Sequence, residues 1–203
     1  MAILERINRW SGRIEAVRRA RRRVMAPLLR VHSASYDAPE LREWERRGWI
    51  GAGEACRLAA ASAPREECGR AVLFVVTLGP WKVGRAALSP MWRHLGIPGI
   101  WVGGMVVEPA VRGSGVGRRL LDEIVRVASR LPGVGEIWAN VREDNQVSLR
   151  TFRSAGFGLV PRPDWEARIA EHYLRCGRRS GKRDLIVCRT IKSDPGLSAG
   201  PFG

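Results

Sequence analysis

The order of apolar and polar residues predicts two helices before residue 50. In the first, apolar residues recur every three or four positions and leave most arginines on the other side. Its apolar positions are Ile3, Ile7, Trp10, Ile14 and Val17. We expect this helix to extend to about residue 35, with Pro27 ending or kinking it. The second is predicted to begin after Asp37, with Pro39 in its first turn and Gly48 near its end.

From residue 71 onward, short apolar runs typical of strands alternate with helical patterns. The runs are "AVLFVVTL" from Ala71, "WKVGRAAL" from Trp81, "GIWVGGMVVEP" from Gly99, "EIWANV" from Glu136 and "DLIVCRTI" from Asp184. The helical patterns cover 116–131, 145–157 and "PDWEARIAEHYL" before the last strand. Gly103 and Gly104 interrupt the third run, which predicts a bulge or a close backbone approach there.

Composition narrows the class of protein. The chain has 203 residues, of which 45% are hydrophobic and 27% charged, as is typical of a globular domain. No apolar run approaches the length of a membrane span, and charges interrupt the N-terminus too often for a secretory signal, so we expect a cytoplasmic protein. The four cysteines form no C-x-x-C pair and the three histidines show no ligand spacing, so we expect no metal.

The net charge is +15, and nearly all of the basic residues are arginines. A field of this sign attracts anionic partners, such as a phosphorylated cofactor, nucleic acid or anionic lipid. The arginine-rich run from Arg18 to Arg23 has two interpretations: a solvated helix face, or a surface that contacts an anionic membrane, nucleic acid or an acidic acceptor. No RNP, zinc-finger or helix-turn-helix pattern accompanies it, so we expect no specific nucleic-acid recognition.

The stretch "VVEPAVRGSGVGRRLL", which begins at Val106, joins an apolar strand to a helix through a glycine-rich turn. Such a turn presents several backbone N–H groups on one side. Those donors and the helix dipole together favour an anion, most often phosphate. The three glycines of the turn let the backbone approach the anion closely, and Arg112 and Arg118 can add positive charge.

This turn differs from two common phosphate loops. A dinucleotide fingerprint that begins at Gly113 needs glycine at position 118, and a Walker loop needs Gly-Lys followed by Ser or Thr. The chain has neither. What remains is Arg112-x-x-Gly115-x-Gly117 after an apolar strand, which resembles the signature of the GNAT family of N-acetyltransferases. In that family the loop holds the pyrophosphate of acetyl-CoA.

A second stretch, "NQVSLRTFRSAGF", resembles the family's next conserved helix, and it follows the loop in the expected order. The positions that match are Asn145, Ser148, Phe152, Gly156 and Phe157. The resemblance is clear over residues 99–160 and weaker over 71–191. Residues 1–70 are not explained by it.

The resemblance implies an α/β fold, also describable as α+β: a mixed, mostly antiparallel central sheet with helices on both faces. Together with the N-terminal pattern, it predicts three regions. Residues 1–62 are a basic, mainly helical extension, residues 63–193 a GNAT-like acetyl-CoA-binding domain, and residues 194–203 a loose tail.

The resemblance also implies where acetyl-CoA binds. In the family, the strand before the loop and the strand after the next helix splay apart, and the pantetheine arm enters the gap like an added strand. Met105, Val106 and Val107 would then offer backbone groups to that arm, and Asn145, Ser148 and Phe152 would line the cofactor. The residues assigned to the pyrophosphate are Arg112, Gly113, Ser114, Gly115, Val116, Gly117 and Arg118.

The same resemblance shows that two catalytic groups usual in the family are missing from this sequence. Many relatives carry Tyr at the position of Phe152, where it protonates the leaving thiolate, and some carry Glu at the position of Asn140 as a base. Three explanations stay open: positioning with water as proton relay, substitution by another group, or binding of acyl-CoA without turnover. The candidate substitutes are Tyr173, His172, Glu108 and His94, and the Tyr173 ring could instead cap the core.

The sequence therefore predicts transfer of an acetyl group from acetyl-CoA, a co-substrate, to a primary amine. Tyr173 and Asn140 are the candidate catalytic residues. The alternative is a non-catalytic acyl-CoA-binding or interaction module, associated with an anionic surface through its arginine-rich N-terminus. The acceptor could be a small amine, an amino sugar, an antibiotic, a protein N-terminus or a lysine, and we expect a monomer or a homodimer.

Overall fold

The computed structural model describes residues 25–36, 38–51, 71–177 and 183–191. Within these ranges, seven strands form one sheet in the order β1-β2-β3-β4-β5-β7-β6. The strands are β1 Leu29–Ser35, β2 Val72–Leu78, β3 Trp81–Ser89, β4 Ile100–Val107, β5 Glu136–Arg142, β6 Gly158–Leu159 and β7 Asp184–Thr190. The α-helices are α1 Glu40–Arg46, α2 Val116–Ala128, α3 Gln146–Ser154 and α4 Pro163–Arg175. The pair β4–β5 is parallel, and the other neighbouring strands are antiparallel.

Both faces of the sheet are covered, because alternate residues of each strand point to opposite sides. One face carries α2 and α3, and Leu120, Leu121 and Ile124 of α2 are fully buried in a cluster with Phe74 and Ile137 of the sheet. The opposite face carries α1 beside β2 and α4 beside β5 and β7. The predicted fold, a mostly antiparallel sheet with helices on both faces, is confirmed.

The helical prediction is wrong for residues 29–35, which form β1. This strand pairs with β2 from Leu29↔Leu78 to Ser35↔Val72. A helix cannot continue through Pro27 without loss of a hydrogen bond, whereas an extended chain gains a full ladder along the edge of β2. Tertiary pairing therefore overrides the local pattern.

The extension predicted over residues 1–62 thus contributes strand β1 to the sheet and helix α1 to one of its faces, and the predicted boundary at residue 62 falls after both of them. Helix α1 begins just after Pro39 and is followed by Gly48, as predicted. Residues 1–24, which carry most of the arginine-rich pattern and the proposed membrane contact, lie outside the described residues. So do residues 52–70 and the predicted tail.

The remaining predicted strands and helices are present within a few residues of their expected limits. The two-residue strand β6 was missed, because a run that short carries no periodic signal. Nowhere in the described ranges is there a helix of the length and apolar character that a bilayer crossing requires.

Candidate active site

A gap opens between β4 and β5 in the middle of the sheet. The two strands pair only from Ile100↔Ile137 to Val102↔Ala139, although β4 continues to Val107 and β5 to Arg142. Beyond Val102, the backbone groups of β4 that face β5 have no strand partner within the described residues. Such an edge can hydrogen-bond an extended ligand in the manner of an added strand.

A bulge in β4 accounts for the gap. The register between β3 and β4 shifts between Arg85, which pairs with Val106, and Ala87, which pairs with Gly103. Two residues of β4 thus lie opposite one residue of β3, and Gly104 has a φ of 59°. An extra residue of this kind bends the strand that carries it. The predicted bulge is confirmed.

The close backbone approach predicted for these glycines occurs at Gly103. A Cβ atom on this residue would lie 1.9 Å from Cε of Met91. The Met91 side chain therefore lies directly over β4 where the gap begins, on the face that carries α4.

The glycine-rich loop leads from the open end of β4 into α2. Gly113 and Gly115 have φ values of 80° and 92°, in the left-handed region that side chains rarely tolerate. The Arg119 N–H donates to the Gly115 carbonyl at 2.9 Å, one turn earlier. The amides of Val116, Gly117 and Arg118 precede that bond and have no carbonyl one turn back in the helix. The helix therefore begins with donors directed at the loop, where an anion is stabilised.

The side chains of the loop mostly hold it in place. The buried Ser114 hydroxyl donates to the Val111 carbonyl. The Arg112 Nε donates to the Val107 carbonyl at 3.1 Å, and the Arg118 Nε pairs with Asp122 at 2.8 Å. Both arginines remain exposed, so their charge still contributes to a positive field around the loop.

Helix α3 lies close beside the first turn of α2. A Cβ atom on Gly117 would lie 3.3 Å from the Thr151 methyl group. The Asn145 side chain caps α3 by accepting a hydrogen bond from the Ser148 N–H at 3.1 Å. Asn145, a predicted cofactor contact, therefore lies at the N-terminus of a helix that packs beside the first turn of α2.

Phe152 lies in the core. Its side chain is 3% exposed and packs edge-to-face on Phe157, with 5.0 Å between the ring centroids. The ring belongs to the apolar cluster that α2 and α3 form with the sheet. In this structure it serves packing.

The two predicted catalytic residues lie in direct contact. Asn140 is the first residue of β5 beyond its last pair with β4. Its Nδ2 donates to the Tyr173 hydroxyl oxygen at 3.2 Å and to Oδ1 of Asp184, also at 3.2 Å. Tyr173 belongs to α4 and packs edge-to-face on Trp92, with 5.6 Å between the ring centroids. A polar group of three side chains therefore lies where the gap opens, on the face that carries α4.

Asp184 was missed by the sequence analysis. It is the first residue of β7, pairs with Arg142 of β5 and is 7% exposed. Burial raises the pKa of Asp184, while the Asn140 hydrogen bond and the Arg142 charge oppose that rise. The only signal in the sequence was an aspartate at the start of an apolar strand. Nothing in the sequence placed this aspartate beside Asn140.

The other substitutes considered from sequence are not hydrogen-bonded to Asn140 in the described residues, although the His172 ring lies 6.1 Å from the Tyr173 ring between centroids. His94 Nε2 and His172 Nδ1 are 3.4 Å from each other, and Glu108 is exposed just beyond the end of β4. In the described part of the chain, no hydrogen bond joins any of the three to Asn140. Among the same residues, no group of three or more His, Cys, Asp or Glu side chains is arranged to hold a metal ion.

A separate surface cavity of about 990 Å³ lies beside the N-terminal ends of β4 and β5. Trp138, Trp165 and Arg162 line it, and the Arg162 guanidinium lies 5.1 Å from the Trp165 ring centroid. The gap and the glycine-rich loop lie toward the other end of the same strands, so the cavity is not part of the candidate site.

Comparison with known proteins agrees with this geometry. The sequence pattern of the acetyltransferase (GNAT) family matches residues 38–157. An uncharacterised protein of Mycobacterium leprae (strain TN) is 48% identical over 73 residues, which are 34% of this chain and 19% of that protein. The N-alpha-acetyltransferase RimI of Mycobacterium tuberculosis is 43% identical over 54 residues, 27% of this chain and 32% of that protein. The chain thus matches less than a third of the length of each relative.

Solved structures share the fold at low sequence identity. An acetyltransferase of the GNAT family from Streptococcus pneumoniae has a TM-score of 0.52 and 13% identity, covering 81% of this chain and 99% of that one. The structure of yncA from Salmonella typhimurium, with its cofactor acetyl-CoA, has a TM-score of 0.52 and 16% identity, covering 85% of this chain and 99% of that one.

The family match spans more than half of this chain and includes the loop and both strands of the gap. The chain therefore belongs to the GNAT acetyltransferase family.

Proposed function

We propose that this protein is an N-acetyltransferase that moves an acetyl group from acetyl-CoA to a primary amine. One observation carries the proposal: a glycine-rich loop at a helix N-terminus directly follows a strand, β4, whose far half has no partner on the side that faces β5. The backbone donors of the loop can bind the pyrophosphate, and the unpaired edge of β4 can hydrogen-bond the amide-containing arm that follows it.

The residues of the site fit acetyl-CoA. The absence of Cβ atoms at Gly113 and Gly115 leaves the loop backbone accessible, and the first amides of α2 add donors. The edge of β4 that faces β5 has no strand partner over Met105, Val106 and Val107, so backbone groups on that edge can bond the arm. The opposite edge is paired with β3. When bound, the thioester supplies an activated acyl carbon and a sulfur leaving group.

Tyr173 is the proposed proton donor for the leaving sulfur. Asn140 donates a hydrogen bond to the phenolic oxygen, which stabilises the negative charge that develops there as the proton departs. The same bond orients the ring toward the point where β4 and β5 separate. Asn140 acts as a positioning residue, because an amide neither gains nor loses a proton at neutral pH.

The acceptor is proposed only as a class, a primary amine. Similarity to a relative named N-alpha-acetyltransferase supports testing the α-amino group of a peptide first. That similarity covers only 32% of the relative, so lysine side chains and small amines belong in the same test.

The test has two steps. Calorimetry measures binding of acetyl-CoA, and a thiol-release assay then measures turnover with three probes: a short peptide with a free α-amino group, an N-terminally blocked peptide that contains lysine, and glucosamine. Binding with turnover on any probe supports the proposal. Binding without turnover supports the alternative, an acyl-CoA-binding module, which the absence of a carboxylate at Asn140 favours.

Phe152→Tyr should change kcat by less than about threefold. The ring lies in the core and not in the gap, so a hydroxyl there has no access to the leaving group. Without a partner it should lower the free energy of unfolding by roughly 1–3 kcal/mol. Steady-state kinetics and denaturant unfolding measure the two effects. A large rise in kcat would show instead that this position reaches the reacting sulfur.

A further inference from the structure

Asp184 and Glu166 are the two carboxylates that are buried among the described residues. Glu166 is neutralised by Arg183, with 2.6 Å between the charged atoms. Asp184 has no salt bridge within the described part of the chain, and its hydrogen-bond partner there is the neutral Asn140 amide. An acid that is buried without an ion-pair partner costs stability, which is characteristic of functional sites.

Strand geometry places Asp184 at the gap. In antiparallel β5 and β7, the pairs Trp138↔Cys188, Asn140↔Ile186 and Arg142↔Asp184 alternate by two residues, so all six side chains share one face. That face is the one that α4 covers. Asp184 therefore lies diagonally across from Asn140, beside the first unpaired residue of β5.

Asn140 links Asp184 to Tyr173. Its Nδ2 carries two hydrogens, and the structure places one acceptor oxygen for each. The Asn140 amide thus bridges the Asp184 carboxylate, a potential proton acceptor, and the Tyr173 hydroxyl, a potential proton donor. Family relatives that carry Glu at the position of Asn140 place their carboxylate on β5, whereas this chain places one on β7 in contact with that position.

Burial favours proton uptake by Asp184. It raises the pKa of Asp184, whereas the Asn140 hydrogen bond and the positive charge of Arg142 on β5 lower it, and the negative charge of Glu166 on α4 raises it. Tyr173 on α4 faces the same group, and the exposed Arg183 precedes Asp184 in the chain. A base is more effective when its pKa approaches the working pH.

We propose that Asp184 is the base of the reaction, taking a proton from the acceptor ammonium group directly or through one water molecule. This rests on the function proposed above. The N–H bond of the ammonium breaks, the proton passes to the Asp184 carboxylate, and the bonding electron pair remains on nitrogen as the lone pair that attacks the acyl carbon. As the C–N bond forms, the C–S bond breaks and its electron pair leaves with sulfur, which takes the Tyr173 proton. The second nitrogen proton passes to solvent, and Tyr173 regains a proton from solvent. Solvent then removes the proton from Asp184, which returns to its carboxylate form.

The test is Asp184→Asn, which keeps an oxygen to accept the Asn140 hydrogen bond but cannot bind a proton. With acetyl-CoA and whichever probe amine the wild type acetylates fastest, we expect kcat/KM to fall about tenfold at pH 7. The deficit should shrink as the pH rises toward 10, because more of the amine is already neutral in solution. The calorimetric Kd for acetyl-CoA should not change. Asp164→Asn, an exposed acid in the first turn of α4, is the matched control and should retain the wild-type profile.

Thermal unfolding checks the folding of the variant separately, and the direction of the expected change in stability follows from the burial of Asp184. Because burial raises the pKa of Asp184, the folded state holds this proton more tightly than the unfolded chain does. Its contribution to stability is therefore fully present below the unfolded-state pKa and is lost as the pH rises through the folded-state value. At neutral pH the Asn variant should unfold at the same temperature as the wild type or higher.

Each result decides the proposal. If Asp184→Asn has a lower kcat/KM, an altered pH profile, an unchanged Kd for acetyl-CoA and intact folding, the result supports Asp184 as the base. A wild-type rate and profile in Asp184→Asn overturns this proposal alone and leaves Asp184 with a structural role. A variant that loses acetyl-CoA affinity or stability also overturns it. Absence of turnover by the wild type with every probe overturns the proposed function, and the base with it.

Discussion

Tyr173→Phe should lower kcat at least a hundredfold while leaving the affinity for acetyl-CoA intact. The variant removes one hydroxyl and keeps the ring that packs on Trp92, so the fold is retained. What it removes is the oxygen that accepts the Asn140 hydrogen bond, and with it the proposed proton donor. A hundredfold loss corresponds to about 2.7 kcal/mol of transition-state stabilisation.

Tyr36→Phe is the matched control for this change. The chain contains two tyrosines, and Tyr36 packs against the cluster that α1 forms with β2, away from the gap. Its variant undergoes the same chemical change and should keep the wild-type kcat. Steady-state kinetics and calorimetry on both variants are sufficient. A Tyr173→Phe enzyme with wild-type kcat would return Tyr173 to a packing role and leave water as the proton source.

The loop and the helices around it could be predicted from sequence because the signals are local. Gly115 adopts a positive φ that other residues rarely tolerate, and the apolar positions of α2 follow a helical period that one face of the sheet buries. The bulge near Gly104 was predictable for the same reason, since two adjacent glycines inside a strand mark an irregularity.

What the sequence did not predict depends on pairing between distant segments. β1 appeared helical until its pairing with β2 was known. Asp184 lies 44 positions from Asn140 in the chain, and only the register of β5 with β7 places the two in contact. A motif compares one position with its family equivalent, so it shows that the Glu of some relatives is missing at Asn140 but not that a carboxylate lies nearby on another strand.

Gly115→Glu should weaken acetyl-CoA binding at least tenfold, about 1.4 kcal/mol, without unfolding the domain. Gly115 is the residue before the first turn of α2 and has a φ of 92°. A glutamate there places a side chain on the open loop and a carboxylate beside the amides of Val116 and Gly117, where it competes with the pyrophosphate and repels it.

Two further variants separate the causes of that loss. Gly115→Ala introduces the backbone strain of a positive φ without a charge, so its effect on Kd should be smaller than that of Glu. Gly133→Glu introduces the same residue at a φ of 70° in an exposed turn beyond the C-terminal end of α2, and it should leave Kd unchanged. Calorimetric titration of the wild type and the three variants, with circular dichroism as the check on folding, gives the comparison. If a folded Gly115→Glu protein binds acetyl-CoA as tightly as the wild type does, the loop does not hold the pyrophosphate and the cofactor must bind elsewhere along the gap.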